Sequence, residues 1–218
     1  MTHPWTIAAV DDVTAEPQRI SALFPAAGRS VGRDPIEPDA DPLGLVHGTD
    51  DDAARAALVQ ALIAAVDAET AGAALTDLYR HGDDAERRGV LCGLNAEAAL
   101  ATPARTEPAL AEPALAEPIA AAGRELVADA LRTNDPRLVA AALGAFAAAH
   151  LDQHGWRHGV LKALFMGIPL EAAAGIDERG DAELARMAAA LIAERRAAGR
   201  DINADMTRLA TIQTTPGG

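Results

Sequence analysis

Residues 130–170, ALRTNDPRLVAAALGAFAAAHLDQHGWRHGVLKALFMGIPL, hold the sharpest helix-stop-helix signal in the chain. Asn134, Asp135 and Pro136 end one helix and restart another. Asn134 tolerates a left-handed turn, Asp135 supplies a cap, and Pro136 takes the first helical position, where its missing N–H costs nothing. Leu138, Val139, Leu143 and Phe146 then face inward. Asp152 can cap the next helix, which buries Trp156, Val160, Leu161, Leu164 and Phe165 until Pro169 closes it.

The same grammar extends in both directions. Upstream, Trp5 to Val13 suits a short helix. Glu16 to Phe24 makes a better one, with Ile20, Leu23 and Phe24 on one face and Pro25 as its end. Glycines and prolines are then dense from Pro25 to Gly48, which predicts a long loop. Thr49 followed by Asp50, Asp51 and Asp52 starts a helix striped by Leu58, Val59, Leu62, Ile63 and Val66. A helix from Thr70 turns Leu75, Leu78 and Tyr79 inward and stops at Gly82. Asp83 and Glu86 form a capping-box variant that opens one burying Val90, Leu91 and Leu94.

Residues 103–118 repeat Ala-Leu-Ala-Glu-Pro, and prolines at 108, 113 and 118 forbid a continuous helix, so a semi-rigid insertion or linker is expected there. A helix follows from Ile119 to Arg132. Asp181 opens a last long helix with Leu184, Met187, Leu191 and Ile192, which ends at Gly199. A short helix near 204–212 precedes a loose tail at 214–218. The expected organisation is thus 1–48, 49–102, the insertion 103–118, 119–213 and the tail.

Composition narrows the class. Half of the 218 residues are hydrophobic but only 3% are aromatic; alanine dominates and packs helices closely. The formal net charge of -13 with no basic run argues against nucleic acid and anionic membrane surfaces as partners. No apolar run approaches the roughly 18 residues of a spanning helix, and the N-terminus lacks a basic head and apolar segment. Cys92 is alone, so no internal disulfide is possible. A cytoplasmic protein without a cofactor is expected.

Tyr79-Arg80-His81-Gly82-Asp83 and Leu131-Arg132-Thr133-Asn134-Asp135 match in type, as left-handed stop and aspartate cap between helices. The expected fold is therefore all-α: antiparallel helical hairpins stacked as a short HEAT-like, α-solenoid-type array.

Three groups of residues could carry chemistry. His150, His154 and His158 are four apart with Asp152 among them, a spacing that on one unbroken helix could hold a metal. An Asp152 cap would detach His150, however, and Lys162 continues the same spacing. Arg29 and Arg33 in a glycine-containing loop could clamp an anion or pair with Asp34, Glu37, Asp39, Asp41 or Asp50 to Asp52. Arg80 and Arg132 sit at equivalent helix ends. Arg132, Asp152, Trp156 and Arg157 complete the candidate ligand or partner contacts; no catalytic residue is assigned.

The 130–170 stretch, together with FPAAGRSVGR (Phe24 to Arg33), LYRHGDDAERRGVL (Leu78 to Leu91) and DAELARM…ERRAAGR (Asp181 to Arg200), resembles the EboA family. EboA-like proteins are encoded beside a UbiA-like prenyltransferase, a sugar-phosphate-cyclase-like enzyme and TIM-barrel and phosphatase-like hydrolases. The resemblance implies a part in making or moving a small prenylated metabolite, and it supplies no catalytic residues. Two readings follow. One is a non-catalytic helical scaffold or binding protein whose partners are proteins of that pathway or a small metabolite. The other is a carrier or enzyme with a His/Asp/Trp site at 150–158.

Overall fold

The computed structural model describes residues 2–101 and 115–212. Its α-helices are α1 Pro4–Ala15, α2 Ile20–Val31, α3 Asp50–Ala65, α4 Ala68–His81, α5 Asp84–Ala101, α6 Glu117–Ala130, α7 Pro136–Ala141, α8 Ala145–His150, α9 Gln153–Met166, α10 Ile176–Arg179, α11 Ala182–Ala197 and α12 Ala204–Ala210. Among the described residues no strand forms; Pro35 and Thr49 meet in an isolated bridge. The all-α expectation holds. The expected insertion lies outside the described residues up to residue 114, as does the tail from 213.

The helices share one hydrophobic core, from Val13 and Phe24 through Leu58, Leu91, Phe146 and Trp156 to Leu184 and Leu209. Helices two apart in sequence pack on each other: α1 on α3, α3 on α5, α5 on α7, α7 on α9 and α9 on α11, while α4 packs on α6 and α6 on α8. Helix α5 lies close against α3. A Cβ added at Gly93 would lie 2.4 Å from Val59 Cβ, so only glycine lets these backbones close to this distance.

Several helix ends differ from expectation, each for a physical reason. Pro25 does not end α2, which runs on to Val31. The lost N–H costs one hydrogen bond, while continuing buries Phe24 and Ala27 together and lets Arg55 Nε donate to the Phe24 carbonyl at 3.1 Å. The loop therefore begins only at Gly32. Within it buried Asp41 accepts from the backbone N–H groups of Leu45, Val46 and His47 at 2.7 to 2.9 Å. Helix α4 begins at Ala68, capped by Asp67, with Thr70 in its first turn.

Neither expected left-handed stop occurs. Gly82 has φ -81°, and among the described residues no non-glycine has a positive φ. Gly82 is needed for space: a Cβ there would sit 2.6 Å from the Leu78 carbonyl oxygen and 2.7 Å from Glu86 Cβ. At the end of α6, Lys162 Nζ donates to the Leu131 carbonyl at 2.7 Å and also to that of Thr133, so a distant ammonium caps this helix. Helix α9 stops at Gly167, with φ 76°, before Pro169 is reached. Phe165 is 56% exposed rather than buried.

The aspartate caps do form. Asp83 accepts from Glu86 N at 2.9 Å while Glu86 accepts from Asp83 N at 3.0 Å. Asp135 accepts from Arg137 N and Leu138 N, Asp152 from Gly155 N, and Asp181 from Leu184 N.

Candidate functional site

Helix α3 opens on a cap that is also a buried charge cluster. Thr49 N donates to Asp52 Oδ2 at 2.9 Å, and Thr49 Oγ1 lies 2.7 Å from Asp51 Oδ1. Asp51 takes Arg55 NH1 at 2.5 Å, and Asp52 takes Arg88 NH2 at 3.1 Å. Thr49, Asp51, Asp52, Arg55 and Arg88 are all at most 4% exposed. Burial raises the Asp52 pKa against the lowering pull of Arg88. The same enclosure pushes the Cys92 thiol up to about 12, which keeps it protonated and unreactive at neutral pH.

The α4–α5 turn organises what surrounds this cluster. Glu86, Arg87 and Arg88 are consecutive, and each lines a different concavity. Glu86 faces an apolar groove of about 820 Å³ walled by Ile20, Phe24, Pro25, Leu62, Val66, Ala74 and Leu78, with Asp77 and His81 also lining it. Arg88 faces a polar cleft of about 310 Å³ with Arg33, Asp51, Asp52, Asp135 and Arg137. Arg87 faces an arginine cleft of about 420 Å³ with Tyr79, Arg80, Glu125, Asp129 and Arg132. Groove and polar cleft are linked through Arg55, which donates to the carbonyl of Phe24 on the groove and to Asp51 on the cleft.

The groove falls within the size range of small-molecule pockets, about 300–1,000 Å³. It also contains a polar feature made by sequence. Pro25 inside α2 has no N–H for the Ser21 carbonyl, and Ser21 and Pro25 both line the groove.

The residues expected to form a site at 150–158 are dispersed. The chain breaks at Leu151 and Asp152, which leaves His150 on α8 and His154 and His158 on α9. Among the described residues no group of three metal-ligating side chains comes together, so the single stripe is not formed. His150 packs 4.5 Å from the Phe146 ring centre, and burial lowers its pKa. His154 and His158 are exposed, with ring centres 4.3 Å apart and planes tilted by 55°. Trp156 is fully buried, donates from Nε1 to the Ala174 carbonyl at 3.2 Å and carries Arg179 4.9 Å from its ring centre. Arg157 is held by Asp181, whose carboxyl this hydrogen bond keeps down at about 2.

Arg29 lies exposed on α2 rather than on a loop, whereas Arg33, 3.9 Å from Asp51, lines the polar cleft. Arg132 lines the arginine cleft and pairs with Asp129 at 3.2 Å.

Sequence reasoning missed the buried quartet Asp51, Asp52, Arg55 and Arg88 and the apolar groove. One signal was available: Asp51 and Arg55 continue the stripe of Leu58 and Leu62 at helical spacing, so a charged pair occupied core positions.

Residues 109–211 match the family model described as metabolite traffic protein EboA. The matched span contains Glu125, Asp129 and Arg132 of the arginine cleft and Asp135 and Arg137 of the polar cleft, while the groove residues lie before it. No curated protein and no solved structure matches the chain.

Proposed function

We propose, from the match of residues 109–211 to the EboA family model, that the chain is a non-catalytic helical binding protein that holds a small metabolite in transit. The apolar groove carries this reading. It is the largest of the concavities around the α4–α5 turn, is walled by aliphatic and aromatic side chains, and has few polar groups to orient a ligand. A prenyl-type chain suits such a lining, in keeping with the prenylated metabolite that the family resemblance implies. Proteins of the same pathway would deliver and collect it, and the alternate-helix packing is consistent with a short HEAT-like stack that offers them a broad surface. The 150–158 segment fits a structural role better than a site, because Asp152, Trp156 and Arg157 are each engaged by the fold.

Calorimetric titration with farnesol tests the proposal. Saturable one-to-one binding to the wild-type chain is expected, with loss in Ala74→Trp, which fills the groove from α4 while the far-ultraviolet spectrum stays unchanged. Absence of binding, or equal binding by the filled variant, would overturn it.

A further inference from the structure

The arginine cleft supports a second, independent assignment. We propose that Arg80, Arg87 and Arg132 form a binding site for the phosphoryl group of a small metabolite.

Arg87 is the observation that carries it. The other enclosed arginines are spent on internal partners: Arg55 on Asp51 and Phe24, Arg88 on Asp52 and Gly44, Arg179 on the carbonyls of Ala147, Ala148 and Leu151. Arg87 has no carboxylate within ion-pair distance among the described residues, and its buried Nε has no hydrogen-bond partner; Arg88 Nε lacks one too, but Arg88 is committed through NH2 to Asp52 and Gly44. A buried donor without an acceptor is costly, and native folds rarely keep one without a use. The guanidinium is nonetheless positioned, 5.6 Å from the centre of the Tyr79 ring. Tyr79 is itself fixed, 2% exposed and donating its hydroxyl to Asp129 at 3.2 Å.

Arg80 and Arg132 come from the ends of α4 and α6 and are 64% and 71% exposed at their side chains. Their partners Glu125 and Asp129, at 3.8 and 3.2 Å, are solvated too, and such pairs are weak enough to yield to a dianion. Three guanidiniums against two carboxylates make a positive spot on a chain of net charge -13. At physiological salt the Debye length is about 8 Å, so acids elsewhere on the molecule do not cancel it. A phosphoryl dianion carries more charge than a carboxylate and spreads it over three terminal oxygens, so it can engage three guanidiniums at once.

The test is calorimetric titration of inorganic phosphate and pyrophosphate into the full chain. Single-site binding is expected, weakened at least tenfold in Arg87→Gln and in the double variant Arg80→Gln/Arg132→Gln, and unchanged in Arg137→Gln of the neighbouring polar cleft. If Arg87→Gln does not fold, the double variant decides, because both of its positions are exposed. No saturable binding, or wild-type affinity in the double variant, overturns the site. Acetate at matched ionic strength should fail to displace phosphate; equal displacement overturns the phosphoryl assignment.

Discussion

Arg55→Met separates structural charge from ligand-binding charge at the start of α3. Methionine keeps an aliphatic stem against Gly89, whose added Cβ would lie 2.4 Å from Arg55 Cδ. It removes the 2.5 Å bond to Asp51 and the 3.1 Å bond to the Phe24 carbonyl. Asp51 is 3% exposed, and stranding one member of a buried pair costs about 3–5 kcal/mol. The Thr49 hydroxyl stays at 2.7 Å from Asp51 and Arg33 at 3.9 Å, which points to the lower end, about 3 kcal/mol. With a urea slope of about 2–3 kcal/mol/M, the midpoint should fall by about 1–1.5 M. Urea titration followed by far-ultraviolet circular dichroism reads this directly. The double variant Asp51→Asn/Arg55→Met removes both charges and should recover at least half of the loss, since neutral side chains often replace a buried pair at little cost. A single variant within about 1 kcal/mol of wild type, or a double variant no better than the single, would refute a structural role for this pair.

Two further outcomes follow from local geometry. Gly82→Ala should cost about 1–3 kcal/mol, measured as a lowered calorimetric midpoint, because φ is -81° and the only obstacle is the Leu78 carbonyl at 2.6 Å and Glu86 at 2.7 Å. Asp181, held at about 2 by Arg157 from an unfolded value near 3.9, stabilises the fold above that unfolded value and loses its contribution as pH falls through the folded one. The stability gap between wild type and Asp181→Asn should therefore narrow between about pH 4 and pH 2 in acid urea titrations, and a constant gap would mean that the Arg157 bond does not perturb the carboxyl.

Much of the helical grammar was legible in the residues alone. Thr49, Asp83, Asp135, Asp152 and Asp181 each cap the helix they precede, because a side-chain oxygen reaching a free N–H two or three residues on is a local event. The inward faces of Leu58, Leu75, Leu91, Phe146 and Trp156 also follow from period, since an alanine-rich helix has one apolar stripe to bury. Helix ends were less legible. Pro25 reads as a terminator, yet Arg55, thirty-one residues from Phe24, supports the Phe24 carbonyl beside it; Asn134 reads as a left-handed stop, yet Lys162 caps that end.

The site was decided by tertiary structure. Glu86, Arg87 and Arg88 are three adjacent residues in the sequence, and nothing in their order says that one faces apolar walls, one an arginine cleft and one a buried carboxylate. Helical residues about 100° apart diverge from one axis, so neighbours in sequence become neighbours of different helices. The histidines at 150, 154 and 158 suffer the converse: their spacing promises one stripe, but it survives only if the helix is continuous, and Asp152, by capping α9, breaks it. Spacing and capping chemistry settle local form because their forces act within a turn. Which side chains share a cleft depends on how the helices pack, and that the tertiary structure alone decides.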